Sequence, residues 1–344
     1  MNIGKLLVDY RKNRKEAFIK WYAWSLEYKD CDPAVWMTNY LNDRFEHNSE
    51  QRIWLSWLYG NTYYLPTAWI LINEFPDYEL ATYDRMKMWN TENYRRLRYQ
   101  NDTKWSKGHL PEMFNSYQEF VGSKSQMEAF SEFLGDNETQ NFDNLFNVVK
   151  KRFYKFGRYS AWFFLQHLNH TAGIPNVPSS LLLEDYSGSR SHRNGLLMAL
   201  GMDDHYDKRM TISEYEYLES EARYILAEMK DRFPHLTSEI NSFTMETCLC
   251  SFKKIFRKRD GRYLGYYNDR VAEEIIRVEA DGWDGIEWEV LWQARKETLD
   301  PTLYNSKRIL KEKYPEFLNT GNIDRFDWMF KEDEPLSYGL VNFF

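Results

Sequence analysis

TISEYEYLESEARYILAEMKDRF, residues 211–233, reads as one long α-helix. Thr211 with Glu214 three positions on has capping-box spacing, in which hydroxyl and carboxylate satisfy each other's orphan backbone N–H groups. Behind the box, Tyr217, Ile225 and Met229 recur at helical intervals. The same punctuation returns elsewhere: Asp32 precedes Pro33 as an N-cap before a first-turn proline, and Asn48 with Gln51 repeats the box. Alternating strand patterns are scarce, with room for short β pieces only near residues 262–267. The expected fold is mainly α, as one large helical domain or two helical subdomains.

The clearest interruption is TAGIPNVPSSLLLEDYSGSRSHRNG, residues 171–195, where prolines and glycines break helical patterning. It predicts an N-terminal helical half over 1–170, carrying an aromatic and basic segment. A C-terminal half over 171–344 then begins with a Gly/Pro/Ser/Arg loop.

At 344 residues the chain can bury a substantial core. Aromatic residues make up 17% of it while the mean hydropathy is −0.71, so apolar character resides in large rings with polar edges. Cys31, Cys248 and Cys250 lack metal-ligand spacing, and a pair one residue apart rarely closes a disulfide, which predicts a reduced, cytoplasmic chain. No eighteen apolar residues run together and the N-terminus lacks a signal-type apolar core, so no membrane role is expected. The net charge of −7 conceals three basic islands at 85–107, 150–158 and 253–262, set in a strongly acidic remainder.

The first island contains NYRRLRYQNDTKWSKGHLP, residues 93–111, which sets cations beside rings, amides and one acid. Arginine forks and lysine point charges bind phosphate oxygens, and a tyrosine or tryptophan beside them stacks on a base. The same residues also suit a solvated basic helix end with buried rings. GSRSHRNG, residues 188–195, reads as a loop whose small residues, freed amides and guanidinium groups fit an anion, or as a structural turn tied to Glu184 and Asp185. His167 and His170 sit three apart without a further ligand nearby, and read as satisfied helix-end histidines rather than a metal site. Glu246 and Cys250 share a face if their segment is helical, next to Lys253, although inert buried cysteines explain that segment too. In the ring-dense block 54–77, Asn73, Glu74 and Asp77 need capping, solvent or a pocket.

Four of these stretches together resemble one family. QRIWLSWLYGNTYYLPTAWILINEFPD, WNTENYRRLRYQNDTKWSKGHLPEMFNSY, SGSRSHRNG and ETCLCSFKKIFR make the chain similar, over most of its length, to the phage amino acid:DNA transferases of thymine hypermodification, also called α-glutamyl/putrescinyl thymine pyrophosphorylases. The resemblance implies a helical, glycosylase-like fold, although no convincing hairpin glycine motif is present. It also implies replacement of the phosphate or pyrophosphate on 5-hydroxymethyluracil in DNA by the amine of an amino acid or polyamine. A hydroxymethyluracil DNA kinase would supply the substrate, in the host cytoplasm. No cofactor is required, and magnesium enters only with a pyrophosphate.

Such chemistry makes four demands. Arg95, Arg98, Lys104 and Lys107, with Arg158 and Arg190, are the candidates for holding the departing phosphate. Asp102, His109 and Glu246 are the candidates for taking a proton from the amine. Arg193 with His192 and Ser191 would hold the amino acid. Tyr99 and Trp105 would stack on an extruded base whose edge Asn73 reads. Two other readings remain open at this point: a non-catalytic DNA-binding or scaffold protein of the same system, and a base-excising glycosylase.

Overall fold

A computed structural model describes residues 13–100, 103–184, 190–206, 208–254 and 265–299. Among the described residues the regular structure is helical, with no strand, as the capping signals imply. In chain order the helices are α1 (Arg14–Glu27), α2 (Pro33–Arg44), α3 (Ser49–Thr62), α4 (Leu65–Glu74), α5 (Tyr83–Asn93), α6 (Leu110–Val121) and α7 (Gln126–Ser131). There follow α8 (Glu138–Arg152), α9 (Arg158–Ala172), α10 (Ser191–Ala199), α11 (Ile212–Arg232), α12 (Ser242–Phe252), α13 (Tyr266–Glu279) and α14 (Trp288–Thr298).

These helices form two compact units that interleave along the chain. The first comprises Met1–Pro33, Ser179–Arg270 and Leu299–Phe344; the second comprises Ala34–Pro178 and Val271–Thr298. The break anticipated at 171 falls just ahead of the passage at Pro178, while the first 33 residues group with the later sequence and 271–298 with the earlier.

In the first unit, the capping box forms as the spacing requires, with Glu214 N–H donating to the Thr211 hydroxyl at 3.3 Å and Thr211 N–H to Glu214 Oε2 at 2.6 Å. The buried stripe of α11 runs Tyr215, Leu218, Ala222, Ile225 and Met229. Tyr217, expected in that stripe, is 48% exposed, because two residues along a helix turn a side chain by about 200° away from the core. Phe18, Tyr22 and Trp24 of α1 are fully buried against this core. The Trp21 indole donates to Ser251 Oγ at 3.1 Å, and the Tyr22 hydroxyl lies 2.6 Å from that of Thr244, which ties α1 to α12. Glu219, which the sequence left unremarked, is buried and accepts the Leu181 and Leu183 N–H groups, each at 3.0 Å.

The second unit is the ring-rich one. Asn48 and Gln51 close their box on α3, and Trp54, Trp57, Phe114 and Tyr117 stack and edge into each other at ring separations of 5.1–6.4 Å. Gly60 lets α3 cross α9 closely, since a Cβ there would stand 2.8 Å from Phe164 Cβ. His167 of α9 differs from its expected state: it is fully buried, its ring centroid is 3.9 Å from that of Tyr59, and neither nitrogen has a hydrogen-bond partner among the described residues. Residues 262–264, part of the anticipated β region, lie outside the described residues, and Tyr266 opens α13.

Candidate functional site

In the second unit, the chain after α5 turns over residues 94–96 and then leaves regular structure. Buried Leu97 and Tyr99 alternate there with exposed Arg96 and Arg98. The segment is pinned at several points. Gln100 N–H and the Thr103 hydroxyl both donate to the Thr62 carbonyl, at 3.2 and 2.7 Å, and the Thr67 hydroxyl donates to the Arg98 carbonyl. A short 3-10 turn, Lys104–His109, then leads into α6.

The cations this alternation turns outward line a cavity of about 500 Å³. Arg95, Arg96, Arg98, Lys104, Lys107 and Arg277 face it, with Asp281 the one carboxylate among its lining residues. Arg98 forks onto Asp281 through Nε to Oδ2 at 2.5 Å and Nη2 to Oδ1 at 2.7 Å, so its plane is fixed before any ligand arrives. Arg96 donates to the Gly282 carbonyl at 3.0 Å and lies over the Trp283 ring at 4.2 Å. Burial, reinforced by the nearby Arg98 charge, lowers the Lys107 pKa below its ordinary value. An anion entering the cavity relieves that repulsion. Tyr99 is in the wall, and its hydroxyl meets no partner among the described residues. Arg96, Arg277, Tyr64 and Asp281 were missed as site residues, and the sequence marks the last of them only as part of the turn DGWDG, residues 281–285.

The first unit contains a second polar centre. Ser191 to Gly195, anticipated as loop, instead open helix α10. Gly195 is there for packing, not for a turn: a Cβ on it would stand 2.1 Å from the Leu249 carbonyl oxygen, so α10 and α12 cross nearly backbone to backbone. That crossing sets His192 Nδ1 3.4 Å from Glu246 Oε1, with both side chains almost fully buried. Cys250 follows Glu246 one helical turn later and accepts a hydrogen bond from Ser191. Burial and the Glu246 carboxylate push the Cys250 thiol above its ordinary pKa, while Lys253, Lys254 and Ser191 act the other way. Arg193 is turned into the interior of the unit, where it donates to the Leu183 carbonyl at 3.2 Å and approaches the Tyr215 hydroxyl at 3.5 Å. Its Nη1 is thus engaged by the protein's own groups.

The remaining candidates are dispersed. Arg158 is fully buried at the start of α9 with its guanidinium 4.8 Å from the Trp162 ring centroid, an i,i+4 packing contact with no access to DNA. Arg190 is exposed at the N-cap of α10. Trp105 is 44% exposed with the Lys155 ammonium 5.4 Å from its ring centroid. The exposed Asn73 donates its amide back to the Trp69 carbonyl of its own helix at 2.8 Å and is not among the cavity residues. His109 is half-buried with its ring 6.1 Å from that of Tyr154. Asp102 and the basic residues of 255–264 lie outside the described residues. Of the second island, Lys150, Lys151 and Arg152 occupy the last turn of α8, where cations oppose the negative end of the helix dipole.

A family model described as "Amino acid:DNA transferase" matches residues 15–261, most of the chain and both units. The chain belongs to the amino acid:DNA transferase family. A serinyltransferase of Salmonella phage ViI is 29% identical over 346 aligned residues, covering 92% of this chain and 83% of that protein. No solved structure matches. The scaffold reading therefore gives way to an enzyme, and the DNA and amino acid named by the family are the substrate classes of this transferase. No described helix is long and apolar enough to cross a membrane.

Proposed function

We propose that this transferase replaces the phosphate or pyrophosphate of phosphorylated 5-hydroxymethyluracil in phage DNA with the amine of an amino acid. The carbon–oxygen bond to the leaving group breaks, and the oxygen departs with the electron pair. A carbon–nitrogen bond forms, and the amine gives up one proton. The observation that carries the reading is the cavity of the second unit, where six cationic side chains outnumber a single carboxylate.

Charge accumulates on the leaving group as its bond to carbon stretches, and preorganised donors stabilise it at that moment. Arg98, held flat by Asp281, is the fixed donor, while Arg95, Lys104 and Lys107 surround the same space. Tyr99 in the wall and the exposed Trp105 are the rings offered to an unstacked pyrimidine. An amine is protonated at neutral pH and must shed its proton before it attacks. The cluster of Ser191, His192, Glu246 and Cys250 in the first unit is where we place that step. No organic cofactor enters the scheme. Magnesium takes part only as the counter-ion of a pyrophosphate, and a hydroxymethyluracil DNA kinase supplies the activated base.

The test is direct. DNA carrying phosphorylated or pyrophosphorylated hydroxymethyluracil is incubated with the enzyme and, separately, with serine, glycine, glutamate or putrescine. It is then digested to nucleosides for mass analysis. A nucleoside bearing the amine is the expected product, with serine the first amine to try because the phage ViI relative is named for it. Unchanged nucleosides in every reaction would overturn the reading, and abasic sites would favour a glycosylase.

A further inference from the structure

The buried cluster of the first unit has a property that linear spacing hides. Imidazole nitrogen, carboxylate oxygen and thiol sulfur are three different donor types, and one such atom from each of His192, Glu246 and Cys250 lies within 4.8 Å of the other two. Tetrahedral zinc sits about 2.0–2.3 Å from such atoms, which requires donor separations of roughly 3.3–3.8 Å. The His192 to Glu246 distance of 3.4 Å falls in that range, and the Cys250 sulfur lies within 4.8 Å of both donors. All three residues stand on helices whose crossing is locked by Gly195, so the donors come from rigid elements. A divalent cation between the almost fully buried Glu246 carboxylate and the Cys250 sulfur gains Coulombic attraction from both away from water.

We propose that His192, Glu246 and Cys250 bind a divalent transition-metal ion of the zinc class. Sulfur and imidazole donors select it over magnesium and calcium, which prefer oxygen. Three protein ligands leave a fourth position for an outside donor, the arrangement of catalytic rather than structural zinc. Resting on the proposed reaction, the outside donor is the amino group of the amino acid, because coordination favours the unprotonated amine just as zinc favours hydroxide over water.

The experiment uses the full chain and no DNA, so its failure is separate from any failure of the transfer assay. Metal-depleted protein is titrated with cobalt(II), and a zinc-loaded sample is dialysed and its metal content measured. One equivalent of retained zinc is expected, together with tetrahedral cobalt bands and a sulfur-to-cobalt charge-transfer band in the near ultraviolet. Cys250→Ser and His192→Gln, checked for helicity by circular dichroism, should lose the stoichiometric metal. Zinc should also slow alkylation of Cys250 in the unaltered protein, read by peptide mass mapping, which needs no variant to fold. Retention no greater than in the variants, a cobalt spectrum without the thiolate band, or an alkylation rate indifferent to zinc would overturn the site. Serine should alter the cobalt bands; bands that ignore it would remove the amino acid as the fourth ligand.

Discussion

Gly195 faces the Leu249 carbonyl so closely that a single added carbon would stand 2.1 Å from its oxygen. The obstacle is backbone, which cannot swing aside as a side chain can. Gly195→Ala should therefore push α10 off α12 and cost about 1–3 kcal/mol, the usual range for overpacking. Urea unfolding measures the loss. Because the same movement parts His192 from Glu246, transfer activity should fall further than the stability change explains, and wild-type turnover in the folded variant would detach the crossing from function.

The fork of Arg98 on Asp281 sets a second expectation. Arg98→Ala should lower kcat by about 100-fold to 1,000-fold, the scale seen when a preorganised donor to a developing anion is removed. The side chain is 43% exposed, so the unfolding free energy should fall by no more than about 1 kcal/mol. Turnover assays paired with denaturation curves separate the two effects, and unchanged turnover would take Arg98 out of the mechanism.

Lys104 is exposed at the cavity edge and contributes charge rather than packing. Lys104→Ala should weaken DNA binding to a similar degree for all sequences and reduce the slope of log affinity against log salt by about 1. Fluorescence anisotropy across a salt series gives that slope directly.

Trp105 offers an exposed ring beside this basic segment. Trp105→Ala should cost about 1–3 kcal/mol of affinity for DNA carrying the phosphorylated base, the worth of one base–aromatic stack. Filter binding or anisotropy provides the measurement. Equal affinity for the two proteins would mean that the base stacks elsewhere.

His167 gives the pH dependence of stability. Burial holds its pKa well below the ordinary 6.5, and the half-buried His170 is lowered in the same direction for the same reason. Below pH 6.5 the unfolded chain takes up protons that the folded one refuses. Stability is thus complete above that pH and declines on acidification, by up to about 1.4 kcal/mol per pH unit for each histidine. Urea midpoints from pH 5 to 8 should trace this limb, and His167→Leu should make it shallower.

What the sequence disclosed follows from what is local. Capping boxes at Thr211 and Asn48 are contacts across three residues, and both form as spacing requires. The basic character of 93–107 was equally legible, since the cations are neighbours in the chain and the two-residue alternation turns Arg96 and Arg98 outward. Asp281 was not, because its link to Arg98 depends on the later return of the chain into the second unit. His192 and Glu246 were each singled out, but their 3.4 Å meeting depends on a helix crossing that no local pattern encodes. Gly195 misled for a related reason: a glycine read as a turn signal was required by the neighbouring helix.

The interleaving of the two units reaches back to synthesis. Helix α1 leaves the ribosome long before α12, which carries Ser251 and Thr244, the partners that cover Trp21 and Tyr22. Until α12 emerges, the nascent polypeptide carries an uncovered row of large rings, a surface prone to chaperone capture or misassociation. Expression yield should accordingly be most sensitive to changes in α1, and a product truncated before α12 should accumulate as aggregate.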